Sequence, residues 1–436
     1  METTTAQQTQ GTANPSSGGL FQSGQAYIRS QGEKMDVSQF SADLTSLHLV
    51  SDLGGSEGRT MQLRRGVEPS EDDLIIVNSD YAVLDPGSDT STITSVSNEI
   101  MDNLELFIRE EEGSPYIRTS WFEQPKHVLK GSLLDVSNEI RSTINNQHDK
   151  TNDIGIFVNH LTNVAIAAYN NQLTQVSLKT AFTLPVKERH STKERLQLLY
   201  SHIAGIYTID IPRLDYTLTV TIDSKDISVE SEAATAFLYM LASSGGNPDV
   251  LNYANQTIVI NDVGKTTYNM VLIDKGTVMS GKSATDKFGG DNLQASLFHY
   301  LQRTRPEAIN FAQAGRALET GYLEIGSERI PIREELTAVK QDFAKKMVKS
   351  NIEFLQNSFL QSTQIYANVF LGRTMRHTGE MYENGEVSEN FSPSIGQLFI
   401  DQFKKLSGTT EGFILATPGL ATLLGLVIMM KDQWKL

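Results

Sequence analysis

The residues best suited to chemistry lie in the stretch 257–293, where an apolar run ends in a carboxylate and returns through a hydroxyl-rich turn. The runs 258–260 and 270–273 are typical of two buried strands joined as a hairpin. Their turn contains Gly264, Lys265, Thr266 and Thr267. Glycine lets a ligand approach the backbone, and successive N–H groups and hydroxyls can cradle phosphate oxygens. Asp262, at the end of the first run, is placed to hold a hydrated Mg²⁺.

A distant stretch, residues 81–96, repeats this composition. An apolar run over 81–84 ends at Asp85, and a second strand-like run returns over 92–96. The turn between the two runs contains Gly87, Ser88, Asp89 and Thr90. The two stretches together predict a duplicated phosphate clamp, with Asp85 and Asp262 as the carboxylates nearest to a metal ion.

This pair of hairpins resembles the two phosphate loops of the actin-type ATPase superfamily, and the similarity is greatest to the ParM-like bacterial actins that segregate plasmid DNA. The resemblance covers about residues 74–430. It implies an α/β, actin-like (ribonuclease H-like) fold of two domains, with a nucleotide cleft between the halves. It also implies hydrolysis of ATP or GTP with Mg²⁺ as the cofactor.

The resemblance extends to a catalytic carboxylate in the stretch 229–237, which looks like the start of a helix. The family has a Glu-x-x-Ala-Ala turn here, whose carboxylate orients the attacking water. By that spacing Glu230 takes the role, and Glu232 is the second choice. The family's usual proline after the glutamate is Ser231 here, which leaves the register open. Both acids could instead simply favour the positive end of a helix dipole.

Two further turns resemble the parts of the family site that contact the sugar and the base. Gly290 and Asp291 match the turn that leads into a helix near the ribose. The run Thr417, Pro418 and Gly419 matches the last nucleotide motif, although the family usually has glycine at the position of Pro418. A second departure is Asn269, where many relatives have an aspartate.

The elements that must position these residues are visible as periodic patterns. Alternating or continuous apolar residues predict strands over 176–184 and 216–222, and 3.6-residue spacing predicts helices over 133–144, 154–169 and 332–370. Residues 1–70 are rich in Thr, Gln, Ser and Gly and predict a disordered or loosely ordered tail, interrupted by a weak amphipathic piece at 40–50. The expected domains are 71–250 and 251–436, and the C-terminal helix can return to the first domain.

Composition restricts the possible partners. The 436-residue chain has a net charge of −15 and a pI near 5.0, so a broad surface for direct nucleic-acid binding is not expected. The absence of cysteine excludes disulfides, thiolate metal sites and cysteine nucleophiles. No secretory signal opens the sequence, and we expect a cytoplasmic protein without membrane contact. The ParM resemblance implies self-association into filaments and a ParR-like DNA-binding adaptor that links them to plasmid or phage DNA.

Two other classes of protein remain open from the sequence. Residues 276–283 satisfy the Walker A pattern G-x-x-x-x-G-K-[ST], which would make the chain a P-loop NTPase if a helix begins at Lys282. Residues 413–430 contain no charge and reach the minimum length of a membrane span, which would make it a tail-anchored structural protein. The proline and glycine at 418–419 favour a strand, a turn and a helix there instead.

Overall fold

The computed structural model describes residues 35–55, 57–84, 104–111, 125–131, 133–136, 142, 150, 153–189, 196, 199–200, 202–243, 252–305, 308–358, 367–372, 374, 382–383, 386–387, 395–407, 411–415 and 419–436. These residues form two main sheets flanked by helices. The strands of the first sheet are β1 (Thr45–Leu53), β2 (Glu57–Leu63), β3 (Leu74–Asn78), β4 (Tyr81–Leu84), β5 (Glu105–Glu110), β6 (Lys126–Lys130), β7 (Gln175–Leu184), β8 (Gly205–Ile211) and β9 (Tyr216–Ser231).

The second sheet comes from the later part of the chain. Its strands are β10 (Thr257–Val263), β11 (Tyr268–Asp274), β12 (Thr277–Asp286), β15 (Ala367–Leu371) and β18 (Glu411–Ile414), while β13 (Tyr322–Ile325) with β14 (Glu328–Pro331) and β16 (Tyr382–Glu383) with β17 (Glu386–Val387) form small hairpins. The helices are α1 (Leu133–Val136), α2 (Ile154–Asn170), α3 (Val186–Arg189), α4 (Glu232–Ser243), α5 (Gly290–Thr304), α6 (Phe311–Thr320), α7 (Arg333–Ser358), α8 (Ile395–Ser407) and α9 (Ala421–Trp434).

The two sheets share one topology. In the first, the order β3-β2-β1-β7-β9 combines two antiparallel hairpins with two parallel pairings. In the second, β12-β11-β10-β15-β18 repeats the same order and the same directions. The first sheet is then extended by β8, β5, β6 and β4. The chain therefore contains two related halves, each centred on a strand that begins a hairpin.

The first half begins earlier than the sequence predicts. Residues 45–63 form β1 and β2 near the middle of the first sheet, so the predicted tail over 1–70 is wrong for this part of it. Leu47, Leu49 and Val50 are buried against neighbouring strands and helices. Long-range pairing with β7 supplies the burial that the local composition does not reveal. The predicted boundary near residue 250 lies between the two sheets and stays a prediction.

Most predicted elements of the core are present. Helix α2 matches the prediction for 154–169, β7 matches 176–184, and β9 continues beyond 222 to Ser231. Two helices are shorter than predicted. Helix α1 is described over Leu133–Val136, and Ser142, within the predicted helix, bridges Tyr81 as extended backbone. Helix α7 is described over Arg333–Ser358, and residues 367–371, also within a predicted helix, form the buried strand β15 because they pair in parallel with β10.

Both alternative classes conflict with the structure. The Walker A pattern falls on the turn at Gly276 and on β12, an antiparallel strand in which no helix begins at Lys282. The final apolar run contains β18 and α9, which packs on α4 and on the first sheet. Helix α9 thus packs on elements of the first half, while the predicted domain division stays a prediction. Among the residues that the structure describes, no helix is long and apolar enough to span a membrane.

Candidate nucleotide site

Two equivalent hairpins face one cleft. Asp52 is the penultimate residue of β1, Asp262 is the penultimate residue of β10, and each strand is followed at once by a glycine, Gly54 or Gly264. The amide of each glycine donates to the carbonyl oxygen three residues later, at 3.1 Å after β1 and 2.9 Å after β10. The structure therefore pairs the hairpin at Asp262 with one at Asp52, which the sequence interpretation missed.

The cleft between the hairpins contains about 960 Å³ of space that is not occupied by protein atoms. Its lining comes from both halves of the chain: Asp52, Gly54, Gly55, Glu57, Arg59, Lys150, Pro185, Lys187, Glu188, Glu232, Asp262, Gly264, Lys265, Thr267, Asn269, Thr285, Gly372, Gly419 and Thr422. Glycines, hydroxyls and charges of both signs thus surround a single space.

Arg59 on β2 is the buried cation of the first hairpin. Its guanidinium contacts Glu57 Oε1 at 2.6 Å and Asp52 Oδ2 at 3.6 Å, and it donates to the carbonyl oxygen of Gly419. Burial alone would lower the pKa of Arg59, but the carboxylates of Glu57 and Asp52 outweigh burial and raise it. The charged guanidinium therefore connects the first hairpin to the turn before α9.

Glu232, and not Glu230, lies in the cleft. Strand pairing with β7 continues through Glu230 to Ser231, so Glu232 is the first residue of α4. Glu232 Oε1 accepts a hydrogen bond from Lys150 Nζ at 3.0 Å. The half-buried side chain of Glu230 lies outside the cleft lining. Burial raises the pKa of Glu230, and the charge of Arg189 offsets only part of that rise. The second choice of the sequence interpretation is thus the better placed carboxylate.

Asp262 lies in an environment that disfavours its charge. Burial and the negative charges of Glu232 and Asp52 together raise the pKa of Asp262 to about 7, against the opposing effect of Lys150 and Arg59. Carboxylates that raise one another's pKa in this way share a small volume with a deficit of positive charge. A cation that entered the cleft would relieve this repulsion.

The second hairpin is held by close backbone contacts. The amides of Gly290 and Asp291 donate to the carbonyl oxygens of Gly264 and Lys265 at 2.9 and 2.7 Å. A Cβ atom at Gly289 would lie 2.6 Å from both of these carbonyls, so only glycine fits the approach. Gly290 and Asp291, predicted to contact the nucleotide, therefore pack against the turn of the hairpin at Asp262.

Gly372, directly after β15, supports the same hairpin from the other side. Its φ is +100°, and a Cβ atom there would lie 2.4 Å from Asp262 Oδ1. Thr374 Oγ1 donates to the carbonyl oxygen of Gly264 at 2.8 Å. These contacts fix the turn at 264–267, within which Lys265 and Thr267 line the cleft while Thr266 Oγ1 is buried. The sequence interpretation did not include Gly372 or Thr374.

Several predicted residues cannot be placed. Asp85, Gly87, Ser88, Asp89 and Thr90 lie outside the described residues, as do Thr417 and Pro418. Strand β4, which precedes Asp85, forms the edge of the first sheet six places from β1. At about 4.8 Å per strand, the distance between β1 and β4 measured along the sheet is about 29 Å. Gly419 is buried and lines the cleft, and its contact with a nucleotide stays a prediction.

The donor set fits a nucleotide with a hydrated divalent cation. Glycines in the hairpin turns let a ligand approach the backbone, and carboxylate oxygens are the side-chain ligands that Mg²⁺ prefers. Within the described ranges, no three His, Asp or Glu side chains form a group that could hold a metal ion. Asp52 and Asp262 are the carboxylates of the two hairpins that could hold such a cation.

Comparisons with known proteins identify the fold. No protein-family model and no curated protein matches this sequence. Solved structures do match. Actin-like protein Alp7A has 13% identity and a TM-score of 0.66, with 90% of this chain and 97% of that chain covered. ParM of Bacillus thuringiensis with AMPPNP has 12% identity and a TM-score of 0.58, with 89% and 99% covered.

A further match is to the solved structure of a filament. The 15-stranded ParM filament from Clostridium botulinum has 16% identity and a TM-score of 0.52, with 89% of this chain and 100% of that chain covered. The chain therefore has the actin-like fold of two related halves around a cleft. Within that fold, the predicted similarity to ParM-like bacterial actins is confirmed at the level of structure.

Proposed function

We propose that this protein is an actin-like ATPase that binds Mg-ATP or Mg-GTP in the cleft and polymerises into filaments in response. The observation that carries the proposal is the pair of equivalent hairpins, with Asp52 and Asp262 at matching positions, facing one space between the two halves. The match to ParM solved with AMPPNP supports the choice of nucleotide as ligand.

The residues divide the work of binding. The backbone amides of the turn residues that follow Gly54 and Gly264 bind phosphate oxygens, because successive backbone N–H groups form an anion-binding concavity. Arg59 and Lys265 line the cleft and supply positive charge to the phosphates. We keep Gly419, with its neighbours Thr417 and Pro418, as the contact to the base and ribose.

Hydrolysis is assigned to the carboxylates at the base of the cleft. Glu232 orients the attacking water, since it lines the cleft at the start of α4, whereas Glu230 lies outside the lining. Asp52 and Asp262 hold the hydrated cation. The cation, when bound, neutralises charge on the phosphate oxygens. Asp85 and residues 87–90 remain a second candidate for a phosphate loop, supported only by their sequence pattern.

The cellular role follows the same resemblance. Nucleotide binding would close the halves and favour assembly, and hydrolysis would loosen the filament. A net charge of −15 disfavours direct contact with DNA, so a ParR-like adaptor would connect the filament to plasmid or phage DNA. We place this activity in the cytoplasm. The filament described for the ParM of Clostridium botulinum supports self-association.

Right-angle light scattering of the purified protein, followed by electron microscopy, tests the proposal. Addition of Mg-ATP should raise the scattering and yield filaments, and Mg-GTP measured in parallel reports the nucleotide preference. Asp262→Ala should abolish both the rise and the release of phosphate. An unchanged response in Asp262→Ala, or no nucleotide binding by the unmodified protein, would contradict the proposed function.

A paired comparison assigns the first phosphate hairpin. Asp52→Ala should weaken nucleotide binding by about 10- to 100-fold, because it removes a carboxylate that the structure places in the cleft. Asp85→Ala should leave the affinity within about twofold of the unmodified protein. The reverse result would restore the hairpin at Asp85 as the first phosphate loop.

A further inference from the structure

Lys150 is the buried cation nearest to the proposed catalytic carboxylate. Its Nζ donates to Glu232 Oε1 at 3.0 Å, and its backbone amide donates to Glu188 Oε2 at 2.9 Å. The residue is 6% exposed, and the Glu232 side chain is 12% exposed. Lys150 is thus attached to α3 through its backbone and to α4 through its side chain.

The electrostatic environment makes this contact more than a packing detail. Burial and the charge of Asp52 raise the pKa of Glu232, while Lys150 lowers it. Burial would lower the pKa of Lys150, but the carboxylates of Glu232, Glu188 and Asp52 outweigh burial and raise it. The pKa of Glu232 is raised overall, so Lys150 offsets only part of the effect of burial and Asp52, whereas the raised pKa of Lys150 keeps its ammonium group charged. The charged Lys150 thus favours the ionised form of Glu232 against burial.

We propose that Lys150 is a positioning residue for the hydrolysis reaction: its ammonium group holds Oε1 of Glu232 and leaves Oε2 to accept a hydrogen bond from the attacking water. This inference rests on the proposed ATPase function. In the reaction, the water oxygen bonds to the γ-phosphorus, the bond to the β,γ-bridging oxygen breaks, and ADP, inorganic phosphate and a proton are released. Lys150 itself forms no bond to the nucleotide.

Lys150 could act on the nucleotide directly or through Glu232, and other charged groups line the same cleft. The groups that share the cleft lining with Lys150 and Glu232 are Asp52, Glu57, Arg59, Lys187, Glu188 and Asp262. A cation that bound the γ-phosphate directly would contribute to nucleotide affinity. A cation that acts through Glu232 contributes to the chemical step alone. The two roles therefore differ in whether KM or kcat changes.

The experiment compares kcat and KM for phosphate release from ATP at one protein concentration. Lys150→Met should lower kcat by about 10- to 100-fold and leave KM within about twofold, because the lost interaction positions a transition-state contact. Lys150→Arg, which retains the charge and the donors, should recover kcat to within about threefold. A rise in KM with unchanged kcat, or an unchanged kcat in Lys150→Met, would overturn the proposal.

The double variant Lys150→Met with Glu232→Gln completes the test. If Lys150 acts through Glu232, the double variant should have the kcat of Glu232→Gln alone to within about twofold. A further loss in the double variant would show that Lys150 acts independently and would refute the inference. If Lys150→Met fails to fold, the double variant can still be compared with Glu232→Gln, since the double variant removes both buried charges and leaves neither unpaired.

The unmodified protein separates the two levels of the argument. If it neither binds nor hydrolyses nucleotide, the proposed function fails, and the role of Lys150 fails with it. If it hydrolyses ATP normally while Lys150→Met keeps its kcat, only the role of Lys150 fails. Thermal unfolding of every variant, followed by circular dichroism, shows whether a lost activity reflects a lost fold.

Discussion

Replacing Gly372 by alanine should displace the carboxylate of Asp262. The added Cβ atom would lie 2.4 Å from Asp262 Oδ1 and 2.5 Å from the carbonyl oxygen of Val263. Cβ atoms essentially never approach a heavy atom closer than 3.0 Å, so the carboxylate or the strand end must move by about 0.6 Å or more. The φ of +100° adds backbone strain of about 1–3 kcal/mol for an L-residue.

The size of the functional effect follows from this displacement. A misplacement of about 1 Å in a positioned group can cost about 100-fold, so Gly372→Ala should weaken Mg-ATP binding by about 10- to 100-fold. Titration of a fluorescent ATP analogue in the presence of Mg²⁺ measures the affinity. The same titration without Mg²⁺ should show a smaller difference between the variant and the unmodified protein, because Asp262 acts through the cation.

Gly326→Ala is the matched control for Gly372→Ala. Gly326 lies between β13 and β14 with a φ of +60°, and a Cβ atom there would meet nothing within 4 Å. This variant carries a left-handed backbone cost of about 1–2 kcal/mol without a clash at the cleft. Its nucleotide affinity should stay normal. Equal affinities in Gly372→Ala and Gly326→Ala would refute the reasoning, because the clash of the added Cβ atom with Asp262 would then have no effect on nucleotide binding.

Three further predictions concern stability and the excluded alternative. Gly425→Ala should lower the free energy of unfolding in urea by about 3 kcal/mol or more, since the added Cβ atom would lie 1.7 Å from the Thr235 carbonyl oxygen. Gly281→Ala is the control, because a Cβ atom there meets nothing within 4 Å, and it should not destabilise the fold in this way. Because the folded-state pKa of Asp262 is raised to about 7, the free energy of unfolding measured without nucleotide should fall as the pH rises from about 4 to about 7; Asp262→Asn should flatten this loss, and an unchanged pH profile would contradict it. Lys282→Ala should keep full nucleotide affinity, and a tenfold loss would revive the P-loop alternative.

The hairpin at Asp262 could be predicted because its pattern is local. Apolar runs flank a short turn of glycine and hydroxyl residues, and both strands bury these runs in the second sheet. The hairpin at Asp52 follows the same rule of an aspartate, an aliphatic residue and a glycine, with Leu53 and Gly54 in place of Val263 and Gly264. This shared triplet is the signal that could have located it.

The first strand was missed because its burial depends on distant parts of the chain. β1 contains polar residues such as His48 and Ser51, which weaken the local apolar pattern. Ser51 is buried because its hydroxyl pairs with that of Thr60 at 2.8 Å, and the ring of His48 lies 5.7 Å from that of Trp434 near the chain end. Neither partner can be read from the sequence around residues 45–53.

The sequence did not show which glutamate begins α4, because nothing in it marks the end of β9. The residues at 229–237 have a helix-like composition, which moved the expected helix start toward Glu230. Pairing with β7 instead keeps the backbone extended to Ser231. Similarly, residues 367–371 are apolar throughout, and such a run cannot be assigned to a helix or to a buried parallel strand by periodicity.

The cleft combines two features that require a ligand to be understood together. Its carboxylates raise the pKa of Asp262, so without a bound cation the cleft carries an electrostatic cost that grows with pH. Two of its buried cations already contact carboxylates, Arg59 with Asp52 and Lys150 with Glu232. A ligand that brings phosphate alone would add negative charge to this cluster. A phosphate ligand accompanied by a divalent cation adds both charges in balance, which is why the arrangement favours a metal–nucleotide complex over either component by itself.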